Sequence, residues 1–292
     1  MAEKFWTPND YSTPILDHQL VAFDLETSGA YPLGADIVEF AAVKWSGGKV
    51  IDTYQTLIKP PKPMGAFIIG IHGITNEMVE NAPRISEKIH EIRAFISGSV
   101  VMAHHAPFDL GFMTHEFEGA GMMIPNDPVV CTSLLSRAVI PESPNHKLQT
   151  LIQFLKLQQG KAHRALDDSQ ACLELALRCF DRMGPAATLK QVQDKVGKSL
   201  DWVNFSLSIA ASEKIKTITE ALRRGLPLDI VYNGGTLKGK VRRVSPEGIV
   251  RNPDGDYMMA QCHIDRMSKR FYLPKIQDLS VVSSPATALS SS

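Results

Sequence analysis

Three apolar runs follow one another closely between residues 20 and 58, and the shortness of their joins restricts what the chain can fold into. Leu20-Val21-Ala22-Phe23-Asp24-Leu25-Glu26 reads as a buried strand that ends in acids, and Ile37 to Trp45 and Val50 to Ile58 read as two more. Only Ser46-Gly47-Gly48-Lys49 separates the second run from the third, which is a hairpin signal. Strands joined this tightly form an antiparallel meander. The period then changes. Ser86 to Ile96 places Ile89, Ile92, Phe95 and Ile96 at helical spacing behind a candidate N-cap at Ser86. Ser99 to Ala103 is a short apolar strand, Phe108 to Phe117 is helical, and Val129-Val130-Cys131 is a brief strand before another helix. Leu148 to Leu157 and Ala165 to Phe180 are amphipathic helices. Strands first, then strand–helix alternation, predict an α/β unit with a mixed sheet flanked by helices.

Met183-Gly184-Pro185 closes that unit. Residues 187–226 are polar and helical, as expected of a linker region. From Leu228 five short strands follow, punctuated by Gly234-Gly235, Pro246-Glu247-Gly248 and Pro253-Asp254-Gly255. Over 227–282 this pattern predicts a small C-terminal β-barrel. Residues 1–19, with Pro8 and Pro14 and little periodicity, read as a surface tail, and the serine-rich 283–292 as a disordered one.

Composition bounds the function classes. The 292 residues carry 31 basic and 31 acidic side chains with 44% hydrophobics, which is ordinary for a soluble globular protein and excludes wholesale disorder. No run approaches the roughly 18 apolar residues of a membrane span. Met1 to Trp6 lacks the apolar core of a secretory leader, so a cytoplasmic location is expected. Cys131, Cys172, Cys179 and Cys262 show no CxxC spacing, and Cys172 and Cys179, seven apart in an apolar helical pattern, read as buried thiols. The zero net charge hides an asymmetry. Residues 1–185 hold 15 basic and 21 acidic side chains, and residues 186–292 hold 16 basic and 10 acidic. An acidic half suits a carboxylate metal site and a basic half suits a polyanion.

Asp24 and Glu26 are two apart on a strand, so both point to one face. Two carboxylates about 4 Å apart repel by about 4 kcal/mol at an effective dielectric near 20. A divalent cation removes that cost, and oxygen-only ligation favours Mg²⁺ or Mn²⁺ over Zn²⁺. Asp109 stands where a strand runs into a helix, after Val100 to Phe108. In His163-Arg164-Ala165-Leu166-Asp167-Asp168 the five-residue offset puts His163 just outside a helix and Asp168 about one turn in. Asp167 competes with Asp168, since the helix dipole favours any acid in the first turn.

These segments together resemble the DnaQ-like 3′–5′ exonucleases of the DEDD superfamily, in the subgroup with a histidine (DEDDh) that includes the polymerase III epsilon proofreading subunit. The resemblance spans residues 20–182. Its motifs are Phe23-Asp24-Leu25-Glu26-Thr27-Ser28-Gly29, Ile71-His72-Gly73-Ile74-Thr75, Ala103-His104-His105-Ala106-Pro107-Phe108-Asp109 and His163 to Asp168. It implies an RNase H-like fold and two-metal phosphodiester hydrolysis at the 3′ end of single-stranded DNA or RNA. By it, Asp24, Glu26, Asp109 and Asp168 hold the two ions and His163 is the general base. Thr27, Ser28, Gly29, His72 and Phe108 contact the terminal nucleotide. Two positions depart from the family pattern: His105 stands where Asn is usual, and Phe67 where epsilon-like members carry a glutamate. His104 reads as a structural histidine.

Residues 227–282 more weakly resemble the WYL domain, a small Sm-like or SH3-like barrel of bacterial regulators. The matching segments are Leu228 to Tyr232, Arg242 to Ile249, Asp256 to His263 and Arg270 to Ile276, and of the Trp-Tyr-Leu triplet only Tyr257 is kept. The resemblance implies a nucleic-acid or nucleotide ligand, held by Tyr232, Arg242, Arg243, Arg266 and Arg270. The leading expectation is therefore a metal-dependent 3′–5′ exonuclease, with DNA favoured over RNA and an accessory C-terminal domain that binds nucleic acid or a nucleotide ligand; DNA repair, proofreading and RNA processing are not separated by sequence. The alternatives are an RNA-trimming exoribonuclease, or a regulatory protein that uses the same fold as a nucleic-acid clamp.

Overall fold

A computed structural model describes residues 4–158, 160, 162–209, 211–235 and 237–282. The expected tail at 283–292 lies outside the described residues. In chain order the elements are α1 (Pro8–Ser12), β1 (Leu20–Thr27), β2 (Ile37–Ser46), β3 (Lys49–Leu57), α2 (Ala66–His72), α3 (Asn76–Val79) and α4 (Ile85–Ile96). Then come β4 (Val100–Ala103), α5 (Pro107–Gly119), β5 (Val129–Cys131), α6 (Thr132–Val139), α7 (Leu148–Leu155), α8 (Ala165–Met183) and α9 (Leu189–Val196). The chain ends with α10 (Glu213–Arg224), β6 (Leu228–Tyr232), β7 (Val241–Val250), β8 (Tyr257–Cys262), β9 (Met267–Tyr272) and β10 (Ile276–Val281). It divides into two compact units: residues 1–28 with 36–202, and residues 29–35 with 203–292.

The first unit is built on a sheet of order β3-β2-β1-β4-β5. The meander β1, β2, β3 is antiparallel, and β4 and β5 join parallel on the other side of β1. This is the mixed sheet flanked by helices that the change of period predicts. β1 and β2 are central and almost wholly buried, which explains their near-continuous apolar runs. β3 is an edge, and there Val50 and Ile51 are 51% and 45% exposed. Lys49 and Asp52 on the same edge discourage pairing with another chain. α8 packs on β1 and β2 through small residues such as Ala165, Ala171 and Ala176. The Ser169 hydroxyl donates to the Ala41 carbonyl at 3.0 Å, fixing the helix to the sheet.

Two boundary expectations are corrected here. Residues 4–19 are not a loose tail. α1 carries a capping box at Thr7, Ile15 is 1% exposed, and Pro14 bridges Thr188. Nor is 187–202 a linker. α9 belongs to the first unit, and Trp202 is buried there, stacked on Phe23 with its indole N–H donating to the Asp127 carbonyl at 3.0 Å. Proline spacing hides the first of these and polar composition the second, because one buried Ile or Trp suffices to dock a mostly polar segment.

The second unit is an antiparallel sheet of order β10-β6-β7-β8-β9. Ile215, Ile218 and Ala221 of α10 pack with Leu228, Ile230, Val244, Met258 and Phe271 on one face. β9 and β10 lie at opposite edges, so the barrel expected from sequence is an antiparallel sheet with no closing ladder among the described residues. The loop 29–35, which leaves β1 and returns to β2, belongs to this unit, and Leu33 packs against its core.

Of the C-terminal candidates, Tyr232 and Arg242 are buried, and Arg243 is exposed but ion-paired. Tyr232 is a core residue, edge-on to Phe271, its hydroxyl accepting from the Tyr272 amide at 3.4 Å. Arg242 is 4% exposed, its guanidinium 3.9 Å from Asp265 and over the Phe271 ring. Arg243 forks onto the Asp229 carboxylate at 2.9 and 2.8 Å. Strand alternation explains the pair: adjacent residues face opposite ways, so Arg242 falls inward. Arg266 and Arg270 are exposed.

Candidate active site

β1 delivers the first two carboxylates. Asp24 and Glu26 pair across from Ala41 and Glu39 of β2, and the ladder shifts register just beyond, between Glu26 and Thr27. α5 begins at Pro107 after β4, and places Asp109 in its first turn, 2% exposed. α8 places Asp168 in its first turn, 8% exposed, while Asp167 is only half-buried. Glu26, His163 and Asp168 each bring a ligand atom within 4.8 Å of the others. Asp24 and Asp109 are not part of that group of three, although the Asp24 carboxyl feels those of Asp109, Glu26 and Asp168.

The electrostatics follow from that crowding. Burial, then Asp109, Glu26 and Asp168, push the Asp24 carboxyl well above the usual range. Burial, then Asp168 and Glu39, push Glu26 up to about 8, although Arg164 opposes the shift. Asp109 is raised by burial and Glu26, against the Leu25 backbone amide, and Asp168 by burial, against the His163 amide. Four carboxyls driven towards their neutral forms, with oxygen donors converging from three elements, fit a divalent cation, whose charge reverses each of these shifts.

His163 stands one residue before Arg164, the N-cap of α8, with a left-handed backbone (φ 59°) and an exposed side chain. Its amide donates to Asp168 Oδ2 at 2.9 Å, while Gln149 donates to Oδ1 at 3.2 Å. The carboxylate that crowds Glu26 therefore also pins the turn that carries the imidazole. His72 is buried at 3% exposure, and its Nδ1 accepts from the Ile74 amide at 2.9 Å. The proton of the neutral ring is then on Nε2, which has no partner among the described residues. Burial lowers its pKa.

Glu39 and Arg164 were not singled out in the sequence. Glu39 is fully buried and accepts from Arg164 Nε and Nη2 at 3.1 and 2.7 Å, from the Ala165 amide at 3.1 Å and from Gln55 at 2.8 Å. Burial would raise its pKa, but these bonds hold it below the usual range. A lone acid inside Ile37-Val38-Glu39-Phe40-Ala41 was the available signal, since an unpaired charge is not buried in a strand.

Of the other candidates, Thr27 is 9% exposed and Phe108 half-buried against Phe112. The Ser28 hydroxyl accepts from the Asp36 amide at 2.8 Å, closing the neck of the 29–35 loop. Gly29 opens that loop, where an added Cβ would stand 3.0 Å from the Ala35 Cβ, so the loop itself asks for glycine there. His104 Nε2 donates to the His146 carbonyl and Nδ1 meets the Thr132 hydroxyl, both at 3.0 Å. It joins β4 to the segment before α7. His105 has φ 67°, a left-handed conformation that Asn and His tolerate better than most side chains, which accounts for the exchange at this motif position.

Residues 21–176, more than half of the chain, match the exonuclease family of RNase T type. The chain belongs to the exonuclease family. Its exonuclease domain is 35% identical over 170 residues to the DNA polymerase III PolC-type of Halalkalibacterium halodurans, a match that covers 58% of this chain and 12% of that protein. It is 35% identical over 159 residues to the PolC-type polymerase of Bacillus subtilis, covering 54% of this chain and 11% of that protein. The chain thus spans about an eighth of the length of these relatives. Among solved structures, exonuclease I matches with a TM-score of 0.52 at 16% identity, over 84% of this chain and 55% of that one. Escherichia coli exonuclease I in complex with a dA16 oligonucleotide matches at 0.50 and 17%, with the same coverage. At such identities the likeness is one of fold. Among the described residues no helix is long and apolar enough to cross a membrane.

Proposed function

We propose that this chain is a metal-dependent 3′–5′ exonuclease that removes nucleotides from single-stranded DNA. The observation that carries the reading is the convergence of Glu26, Asp168 and the exposed His163 within 4.8 Å, beside Asp24 and Asp109. A clamp gains nothing from such a group, because buried carboxylates repel a polyanion. Asp24, Glu26, Asp109 and Asp168 would hold two divalent ions, Mg²⁺ or Mn²⁺. When bound, such ions lower the pKa of the attacking water and stabilise charge on the leaving 3′-oxygen.

The chain's own groups do the rest. His163 is free to swing on its exposed turn and takes the proton of the water at a ring nitrogen, while Asp168 fixes the backbone from which it swings. His72, its ring orientation set by the Ile74 amide, would contact the terminal nucleotide or its phosphate. The half-buried Phe108 ring offers a face to the terminal base, and Thr27 and Ser28 line the approach. DNA is favoured over RNA because the PolC-type relatives are DNA polymerases by name.

Blocked oligonucleotides test the polarity. A single-stranded 20-mer with an inverted 3′ terminus is expected to resist digestion with Mg²⁺ or Mn²⁺, and one blocked only at its 5′ terminus to be degraded. Protection by the 5′ block instead would overturn the polarity.

A further inference from the structure

The outward face of the second unit's sheet carries an aromatic and basic surface that its inward face does not require. Ladder register defines it. Tyr257 of β8 is paired with Tyr272 of β9, and Met259 with Arg270, so these four side chains share one face. Their neighbours Met258 and Phe271 point the other way, into the core with α10. The two tyrosine rings meet edge to face, centroids 5.9 Å apart. The Arg270 guanidinium lies 4.2 Å from the Tyr257 centroid, and its Nη1 donates to the Tyr272 hydroxyl at 3.5 Å. Lys275 Nζ stands 5.8 Å from the Tyr272 centroid.

A third tyrosine comes from outside the sheet. Gly248 of β7 is paired with Met259 and so lies on this face, and Tyr31 of the 29–35 loop covers it. A Cβ built on Gly248 would stand 2.2 Å from Tyr31 Cγ, so only glycine lets the ring lie down here. Tyr31, Tyr257, Tyr272 and Arg270 thus form one cluster, and Glu247, Tyr257 and Arg270 all act on the Tyr31 hydroxyl.

The charge of the cluster is available. Arg243, Arg242, Arg251 and Lys269 each pair with an Asp, and Arg224 and Lys216 each with a Glu. Arg270 is exposed, and the groups acting on it are Tyr272, Tyr257 and Tyr31, while Glu247 stands on the Tyr31 side of the cluster. Residues 203–292 hold 13 basic and 8 acidic side chains.

We infer that this face binds unpaired bases of a single-stranded nucleic acid, stacking them on Tyr31, Tyr257 and Tyr272 while Arg270 and Lys275 meet the phosphates. Stacking platforms of this kind tolerate any base, because every base has a π-face. The surface differs from the one that the sequence indicated. Tyr232, Arg242, Arg243 and Arg266 are not part of it, Arg270 stays, and Tyr31 enters from the 29–35 loop of the same unit. The inference rests on the reading that this chain acts on nucleic acid, but binding is measured separately from cleavage.

The test uses the full chain in EDTA, where metal-dependent turnover is stopped, with fluorescein-labelled dT20 and a blunt 20-bp duplex read by anisotropy. Tyr257→Leu and Tyr272→Leu are each expected to weaken dT20 binding about 5- to 100-fold, the range of one lost base–aromatic stack. Their duplex affinity is expected to hold, since paired bases offer no free face. Tyr257→Phe keeps the ring and should bind dT20 within about twofold of the wild type. Arg270→Gln should reduce the salt slope by about one. Should a leucine variant fail to fold, Tyr257→Phe and Arg270→Gln decide the matter. Wild-type affinity for dT20 in both leucine variants, equal losses on duplex and single strand, or an unchanged salt slope in Arg270→Gln would each overturn the inference. Absence of cleavage in a Mg²⁺ reaction with dT20 binding intact would sink the exonuclease reading and leave this one standing.

Discussion

Asp24 shows how a residue that weakens the empty site enables the loaded one. Glu26, beside it, has a folded value of about 8 against an ordinary 4.5. A raised folded pKa contributes stability that is fully present below the unfolded value and lost as pH rises through the folded one. Metal-free protein therefore loses stability from this group between about pH 4.5 and 8. Asp24→Asn removes one charge from the cluster, so its metal-free form is expected to melt above the wild type at pH 8. Saturating Mg²⁺ or Mn²⁺ at about 100 times Kd should stabilise the wild type by about 2.7 kcal/mol, roughly 5–10 °C. The variant should show little of that shift, and differential scanning fluorimetry of the two proteins checks both signs. His104 has the opposite sign. Burial lowers it from 6.5 to about 4, so its contribution is present above pH 6.5 and lost as pH falls towards 4. Between pH 7 and 5 the wild type should lose about 2 kcal/mol through this group. Urea unfolding of His104→Gln should show a shallower decline, and equal slopes would contradict it.

At the scale of elements, legibility followed distance along the chain. Asp24 and Glu26 share a strand, and His163 and Asp168 share a helix start, so local periodicity already placed each pair on one side. Glu39 and Arg164 are 125 residues apart, and no local pattern joins them. Yet this pair braces the mouth of α8, with Glu39 also holding the Ala165 amide. Arg164→Met leaves a buried carboxylate without its main partner and should destabilise the fold by about 3–5 kcal/mol. Arg164→Lys keeps the charge but not the fork, and is expected to fold, melt between the two, and lower turnover more than substrate affinity, because the displaced group is the turn bearing His163. Guanidinium unfolding and steady-state kinetics on one oligonucleotide separate these effects, and a wild-type rate in Arg164→Lys would remove the positioning role. β3 was legible as a strand but its place at the sheet edge was not, since local pattern reports strand formation better than position in a sheet.

For the whole molecule, the α/β unit was legible and its borders were not. Prolines and weak periodicity suggest a tail at 1–19 and polar composition a linker at 187–226, whereas Ile15 and Trp202 dock those segments by burial that neither reports. Trp202→Ala is expected to cost the first unit about 3–5 kcal/mol, read as a lower denaturant midpoint at unchanged m. A cut at residue 186 should be far less stable than one after Trp202. The loop 29–35 crosses the same border, since its company is the C-terminal sheet. The proposed activity of the carboxylate cluster is hydrolysis of nucleic acid from a 3′ end. The decisive measurement is a gel time course of 5′-labelled single-stranded DNA with Mg²⁺, Mn²⁺ or EDTA, alongside Asp24→Asn. A ladder that shortens one nucleotide at a time is expected with metal, and full-length strand with EDTA or the variant. An intact strand from folded, metal-loaded wild type, or equal cleavage by Asp24→Asn, would contradict it.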